Sequence, residues 1–507
     1  MELTRDAESW DMFTFHTPTE ARRAHPARAA RRFRPAAAVA VAAAMLTGSA
    51  LSGCSLIDGG TQVVNIGYQS KTLNTINAGT LMRDQGVFEE KLDELGKKNG
   101  TRYRVQWHDF SSGAPLTAAM IATQVDIGSM GDYPLVTNGS KSAKYDDAAT
   151  EFVATTGYNL QGSLNQVVVP ASSTATGLAD LVGEQVSTSL GSAGDGMLAT
   201  ALRRAGIDPA QVQIANQDPS IGAAALEGGQ VAGLAQFVPW PQLMIFRGQG
   251  RLLYDGGENG VPTFHGVVAR KQFTGRHPDV MSAFLQAMQT TSDYITANPM
   301  TAATRISEIT GIEPEVAYLY NGPGGMVSFD PALKPQFATT LKQVKEFLVD
   351  RGSVTADFDV QQFANDSYLR RLYGAEFQRR TDDVANPSKV TGHDEVCGLP
   401  VDDPETASEV WFDGEADTRK SATPTCLLRR IAESGGKQVR AGYVPDTRSG
   451  LKIFAAQAVW VHDSESAPTG KLLPFATERG AQTYLDQHPS ARTLNYDDAV
   501  RAARQVQ

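Results

Sequence analysis

Strand-like and helix-like segments alternate twice along the chain, and this alternation limits the fold more than any other feature. The first run predicts strands at residues 63–68, 103–107 and 126–128 and helices at 78–95 and 116–123. The second run predicts strands at 166–169, 185–190, 212–215 and 231–237 and helices at 177–182, 194–205 and 220–226. Such alternation predicts an α/β fold with mainly parallel sheets.

A return to the first sheet is predicted after the second run. A strand at 264–269 is followed by helices at 278–297, 301–310, 314–320 and 332–349. We therefore expect two lobes, with lobe 1 formed by residues 63–157 and 262–375 and lobe 2 by residues 158–261. Residues 376–394 are polar and aperiodic, which predicts a linker, and residues 395–507 predict a small α+β domain.

The N-terminal segment has the layout of a bacterial export signal. Six arginines between residues 22 and 34 precede an apolar run at 36–46, and the segment ends in LSGC at 51–54. The apolar run is too short to span a membrane. We expect a lipoprotein signal peptide at 1–53, lipidation of Cys54 and a tether at 54–62, with the protein anchored to the outer face of the cytoplasmic membrane. Sec and twin-arginine export both stay open.

The formal net charge of -10 argues against a nucleic-acid partner, because nucleic-acid surfaces require clustered Lys and Arg. It does not exclude a small anionic ligand. Local N–H groups hold such an ion, so the charge of the whole chain has little influence on it.

Three turns between a strand and a helix carry hydroxyls and glycines that suit an oxyanion. They are FSSG at 110–113 with Ser112 and Gly113, GDYP at 131–134 with Asp132, and STSLGS at 187–192 with Ser189, Gly191 and Ser192. Helix N-termini expose unpaired N–H groups, so each turn can bind an anion or serve as a plain helix cap. The third turn is the strongest anion-site candidate. Asp132 favours capping, with a ligand amine as the alternative.

Two aromatic residues, Phe237 and Trp240, follow the last predicted strand of lobe 2. Their rings would either cover the carbon part of a ligand or lie in the core. His108 and His265 stand alone in the sequence and are interpreted as structural.

These motifs occur in the order found in the nitrate, sulfonate and taurine (NMT1/THI5-like) family of ABC-transporter substrate-binding proteins, which the chain resembles over residues 63–374. The similar stretches are IGYQ at 66–69, GVF at 86–88, FSSG, DIG at 126–128, GDYP, LADLVG at 178–183 and GS at 191–192. The resemblance implies a type II periplasmic-binding-protein-like fold that closes on an anion, with Gln69 among the ligand residues. It also implies delivery to an ABC permease by a monomer that needs no cofactor.

Departures from the family pattern leave the cargo open among sulfonate, taurine, nitrate and bicarbonate. The family usually has VDA where this chain has VAG at 231–233, and often has Trp at the position of Phe237.

The last third more faintly resembles the NosL family of copper-binding accessory lipoproteins. The similar stretches are CGLPV at 397–401, YVPD at 443–446, AVWV at 458–461 and APTG at 467–470. Leu399 and Thr469 replace methionines of that family, and the loss of soft sulfur ligands favours a domain without metal. In an oxidising compartment Cys397 and Cys426 are then expected to form a disulfide.

Two other classes of function compete with solute binding. The first is an enzyme related to the thiamine-pyrimidine synthases, and the second is a copper-delivery lipoprotein. Residues 63–374 contain no cysteine and no Ser-His-Asp or metal-spaced His pattern, so no catalytic or metal-binding residue is expected. We expect closure of the lobes on the anion, with donors from Ser112, Gly113, Ser189 and Ser192.

Overall fold

The computed structural model describes residues 60–355 and 357–505. The signal peptide, Cys54 and residues 55–59 of the expected tether lie outside the described residues. Among those described, no helix combines the length and the apolarity needed to cross a membrane.

Lobe 1 begins with four strands and four helices. They are β1 (Thr61–Tyr68), α1 (Thr80–Gln85), α2 (Val87–Asn99), β2 (Arg102–Asp109), α3 (Gly113–Ile121), β3 (Ile127–Gly131), α4 (Asp132–Ser142) and β4 (Thr150–Asn159). The helix expected at 78–95 is two helices, because Gly86 adopts a left-handed conformation (φ 66°) that ends α1. Strand β4 was not predicted, since its threonines and Asn159 obscure the apolar pattern.

Lobe 2 contains the second run of alternation. It comprises β5 (Asn165–Pro170), β6 (Gln185–Thr188), α5 (Ala193–Arg204), β7 (Gln213–Asn216), α6 (Pro219–Glu227), β8 (Gly233–Phe237), α7 (Trp240–Phe246) and β9 (Gly250–Asp255). The segment expected as a helix at 177–182 is a short 3-10 turn, Leu178–Leu181. Strand β9 and helix α7 were not predicted.

The chain then returns to lobe 1 and ends that lobe in a series of helices. These elements are β10 (Thr263–Arg270), α8 (Lys271–Arg276), α9 (Pro278–Ala297), α10 (Pro299–Thr310), α11 (Pro314–Asn321), α12 (Pro335–Asp350), α13 (Val360–Phe363), α14 (Ser367–Tyr373) and α15 (Phe377–Asp382). Helix α15 lies inside the segment 376–394 that was expected to be an aperiodic linker. That expectation is wrong for α15, whose Phe377 packs into a lobe 1 core.

Each lobe is built on a five-stranded sheet of the same design. The strand order is β2-β1-β3-β10-β4 in lobe 1 and β7-β6-β8-β5-β9 in lobe 2. Three neighbouring strands are parallel in each sheet, and the last two pairings are antiparallel. The chain crosses between the sheets twice, at residues 159–165 and 255–263, and these crossings form the hinge. The fold is that of a two-lobed α/β protein with an additional C-terminal region.

That C-terminal region consists of small antiparallel sheets and three helices. Its elements are β11 (Gly392–Asp394), β12 (Leu399–Val401), β13 (Ser408–Phe412), β14 (Arg419–Ser421), α16 (Pro424–Ala432), β15 (Val439–Pro445), β16 (Lys452–Phe454), β17 (Val459–His462), β18 (Leu472–Phe475), α17 (Glu478–Leu485), β19 (Arg492–Leu494) and α18 (Tyr496–Ala503). A disulfide joins Cys397 to Cys426.

The C-terminal region packs directly against the lobes. The buried Glu409 carboxylate lies 2.9 Å from Lys452 Nζ and accepts a 2.9 Å hydrogen bond from the hydroxyl of Tyr318 in α11. The rings of Phe246 in α7 and Phe454 in β16 are 5.0 Å apart. One hydrophobic core therefore runs from lobe 2 into the C-terminal region.

Candidate functional site

A small cavity lies between the two lobes and is lined by residues from both. Lobe 1 contributes Gln69, Ser112, Gly113, Ala114, Gly131, Pro134 and His265, and lobe 2 contributes Ser189, Leu190, Gly191, Ser192, Ala193 and Phe237. The strands β1, β3 and β6 end here, and α/β sheets bind ligands at the carboxyl ends of such strands. We call this cavity the cradle.

Two helices from opposite lobes begin at the cradle. Ser112 precedes α3 in lobe 1, and its side chain makes no capping hydrogen bond. Ser192 precedes α5 in lobe 2, and its Oγ accepts a 3.4 Å hydrogen bond from the Asp195 amide, which leaves the hydroxyl hydrogen free to donate. Both helix starts present first-turn N–H groups and the positive end of a helix dipole. The cradle is therefore rich in hydrogen-bond donors.

Close packing at the first turn of α3 depends on glycine. A Cβ atom at Gly113 would lie 2.4 Å from the Pro134 ring. The backbone of α3 therefore approaches α4 more closely than any side chain would allow, which brings the first turn of α3 to the cradle wall.

Two of the expected donors are engaged within lobe 2. The Ser189 hydroxyl donates to the Gln217 carbonyl (2.8 Å) and accepts from Gln236 Nε2 (3.1 Å). The Gly191 amide donates to Asp195 Oδ2 at 3.0 Å. In this conformation the Ser189 hydroxyl hydrogen is therefore committed within lobe 2. Ser189 and Gly191 shape the loop that leads into α5.

His265 lines the cradle although sequence analysis treated it as structural. Its Nδ1 atom is 2.7 Å from the Asn74 side-chain nitrogen, which can only donate, so Nδ1 accepts and Nε2 carries the hydrogen. Burial lowers the pKa of His265 to about 3, so the ring stays neutral. No residue near His265 in the chain indicates this role, because His265 reaches the site through the antiparallel pairing of β10 with β3, where it faces Gly131.

The remaining two expected site residues lie in neighbouring cavities. Asp132, the first residue of α4, lines a cavity of about 200 Å³ that shares Ala193 with the cradle. Trp240 lines a cavity of about 260 Å³ with Phe110, and that cavity shares Gln69 with the cradle. Seven of the nine expected ligand residues thus meet in the cradle, and two flank it.

Asp132 is a buried carboxylic acid, with 2% of its surface exposed. Burial raises the pKa of its carboxyl group to about 7, against the opposing effect of backbone hydrogen bonds such as that from the Tyr133 amide (2.9 Å). A carboxylate without a cation partner loses its hydration on burial, which favours the protonated form.

The lobes also contact each other beside the cradle. The Tyr133 ring from α4 packs so closely on Gly196 of α5 that a Cβ atom there would lie 2.1 Å from it. Arg351, directly after α12, lies 3.4 Å from the Asp195 carboxylate in α5. The described conformation therefore has the two lobes in contact across the cleft.

These features define a two-lobed α/β protein with a donor-lined cradle between its lobes. The alkanesulfonate-binding protein SsuA from Xanthomonas axonopodis pv. citri, solved with bound MOPS, shares this fold with a TM-score of 0.51 and 18% identity, covering 60% of this chain and 98% of that chain.

Sequence comparisons find similarity to one family over part of the chain. Residues 116–302 match the pattern of the family described as NMT1/THI5 like. The taurine-binding periplasmic protein of Escherichia coli (strain K12) is 27% identical over 305 residues, covering 57% of this chain and 91% of that protein. A putative aliphatic sulfonates-binding protein of Bacillus subtilis (strain 168) is 22% identical over 331 residues, covering 64% of this chain and 93% of that protein. Both relatives are named as binding proteins, and the first is named as periplasmic.

The raised pKa of Asp132 predicts a pH-dependent stability. The folded protein keeps this proton between about pH 4 and pH 7, where the unfolded chain has lost it, so the free energy of unfolding falls as pH rises through that window. In Asp132→Asn this fall should be smaller by on the order of 2–4 kcal/mol. Urea denaturation at pH 4.5 and pH 8 measures it.

The matched control is Asp93→Asn, an exposed carboxylate on α2. Burial also raises the pKa values of Asp195 and Asp255, and these residues contribute equally to the pH dependence of unfolding in all three proteins. Equal pH dependence in Asp132→Asn and the unsubstituted protein would contradict the prediction.

Proposed function

We propose that this chain is the extracytoplasmic solute-binding protein of an ABC importer and captures a small oxyanion, which is an aliphatic sulfonate, taurine or nitrate. The observation that carries the proposal is the convergence of two helix starts, at Ser112 and Ser192, on one cradle. Within the described part of the chain, the cradle lining includes no Asp, Glu, Lys or Arg. Neutral donors alone select an acceptor group, and an ionised oxyanion is the strongest acceptor of suitable size.

The size of the cradle supports a compact anionic group. Its volume is about 30 Å³, which corresponds to roughly two water molecules. A nitrate or the head group of a sulfonate replaces that much solvent. Larger parts of a ligand would extend into the flanking cavity lined by Phe110 and Trp240.

His265 favours binding over catalysis. A general base must accept a proton, but Nε2 of His265 already carries one and Nδ1 is occupied by Asn74. With a pKa of about 3 the ring also has little affinity for a further proton. It therefore cannot activate a cradle serine, whereas its N–H can donate to an anion.

Closure and delivery complete the proposed mechanism. The open lobes admit the anion, donors from Ser112, Ser192, the first turns of both helices and His265 replace its water, and the closed lobes together form the surface that a permease recognises. A lipid on Cys54 holds the exported monomer at the outer face of the cytoplasmic membrane.

We propose that the C-terminal region is a NosL-like domain that works without metal. Asp394 is near both cysteines, but its carboxylate accepts hydrogen bonds from the Val396 amide (2.9 Å) and Ala422 amide (2.9 Å) and pairs with Arg430 (3.0 Å). With the cysteines joined in a disulfide, this cluster has no thiolate to offer.

Ser112→Ala tests the cradle directly. A hydrogen bond to a charged acceptor contributes about 1.5–3 kcal/mol, so the affinity for ethanesulfonate, taurine or nitrate should fall about 10- to 100-fold. Isothermal titration calorimetry measures the change. Ser112 makes no capping bond, so the fold should be retained. Ser282→Ala, which removes a hydroxyl bonded within α9, is the control. An affinity of Ser112→Ala within twofold of the unsubstituted protein would contradict the cradle assignment.

Arg351→Ala tests closure. The pair with Asp195 joins the lobes only when they are in contact, and a partly exposed pair contributes up to about 1 kcal/mol. We expect a two- to fivefold faster dissociation of the anion with an unchanged association rate, measured by stopped flow. Arg276→Ala, an exposed arginine at the end of α8 in the same lobe, should have no effect. A loss confined to the association rate would argue against a closing contact.

A further inference from the structure

The cavity beside the cradle contains buried hydrogen-bond acceptors, whereas the cradle itself offers donors. It measures about 200 Å³, lies between the lobes and shares Ala193 with the cradle. Asp132 lines it, and the preceding residue, Gly131, lines the cradle. We call it the acceptor cavity, because buried oxygen atoms distinguish it.

Asp132 supplies the acidic group of the acceptor cavity. The side chain is almost fully buried, and among the described residues no Lys, Arg or His forms an ion pair with it. Arg204 also lines this cavity, but it is exposed and its guanidinium donates to the Glu258 carbonyl at 3.4 Å. A buried carboxylate of this kind is costly until a cation or a protonated donor meets it.

Asn165 supplies a second acceptor. Its Nδ2 atom donates to Thr263 Oγ1 at 3.0 Å, which fixes the orientation of the amide. Its Oδ1 atom is buried and has no hydrogen-bond partner among the described residues. Native proteins seldom leave a buried acceptor unpaired, so this oxygen, on a residue that lines the cavity, lacks a donor.

We propose that the acceptor cavity binds a protonated primary amine, held by Asp132 and Asn165. An ammonium group donates three hydrogen bonds and carries a positive charge that would balance the carboxylate. Two sources fit this chemistry. The amine is either the second end of an aminoalkanesulfonate whose anionic end lies in the cradle, in which case the inference rests on the proposed function, or a separate small amine.

The placement of the two cavities favours the first source. The cradle offers neutral donors without a carboxylate, and the adjacent cavity offers a carboxylate and an amide oxygen. A zwitterion with its charges separated by a short carbon chain matches this arrangement at both ends. A simple alkanesulfonate or nitrate would bring no positive charge to Asp132 and no donor to Asn165 Oδ1.

Calorimetry with three probes tests the proposal: taurine, ethanesulfonate and ethylammonium. Taurine carries both the anionic and the ammonium group, ethanesulfonate carries only the anionic group, and ethylammonium carries only the ammonium group. The variants are Asp132→Asn, which preserves shape and the acceptor to the Tyr133 amide, and Asn165→Ala as an independent second change. Asp93→Asn is the control, and circular dichroism verifies folding.

The expected result is a loss of taurine affinity of tenfold or more in both variants, with ethanesulfonate affinity within twofold of the unsubstituted protein. If both variants instead lose ethylammonium affinity by tenfold or more while their taurine affinity is unchanged, the acceptor cavity binds a small amine that is separate from the sulfonate. The proposal is overturned if neither amine responds to the substitutions, or if ethanesulfonate weakens in parallel with taurine.

The outcome for the proposed function can be read separately. If neither sulfonate binds the unsubstituted protein, sulfonate capture fails, while ethylammonium still decides whether the acceptor cavity binds an amine.

Discussion

An anion that leaves water needs hydrogen-bond donors around it, and under the proposed function this requirement accounts for the arrangement of the two lobes. Lobe 1 alone provides the helix start after Ser112, and lobe 2 alone provides the one after Ser192. Neither half can surround an anion. The two sheets have the same strand order, so the carboxyl ends of their parallel strands face one cleft and bring both helix starts to it. Contact between the lobes therefore completes the site.

The same geometry connects the proposed anion site to the contact between the lobes. Asp195 accepts the Gly191 amide with one carboxylate oxygen and meets Arg351 of the other lobe with the second. The loop before α5 is thus held by a residue that also contacts lobe 1. Tyr133 against Gly196 adds a contact that only glycine permits. The C-terminal region packs on the same body of the protein, since Arg448 lies 2.8 Å from Glu258 at the second hinge crossing.

Local patterns in the sequence predicted the two-lobed fold and the cradle loops, because strand, turn and helix signals are encoded by neighbouring residues. The sequence did not predict features that depend on pairing between strands far apart in the chain. His265 enters the cradle only because β10 returns beside β3, and nothing near it in the chain indicates that. Asp132 was expected at the anion site, yet the helix start turns its side chain into the adjacent cavity. Helix α15 was mistaken for linker because its single core contact, Phe377, produces no periodicity.

The central claim is that the lobes close on a small oxyanion. Thermal unfolding of the purified protein with taurine, ethanesulfonate, nitrate, bicarbonate or Cu(I) tests it most directly, because a ligand that binds only the folded state raises the melting temperature by mass action. A selective rise with at least one of the oxyanions taurine, ethanesulfonate and nitrate is the predicted result. A response to Cu(I) alone, or to none of the oxyanions at millimolar concentration, would contradict it.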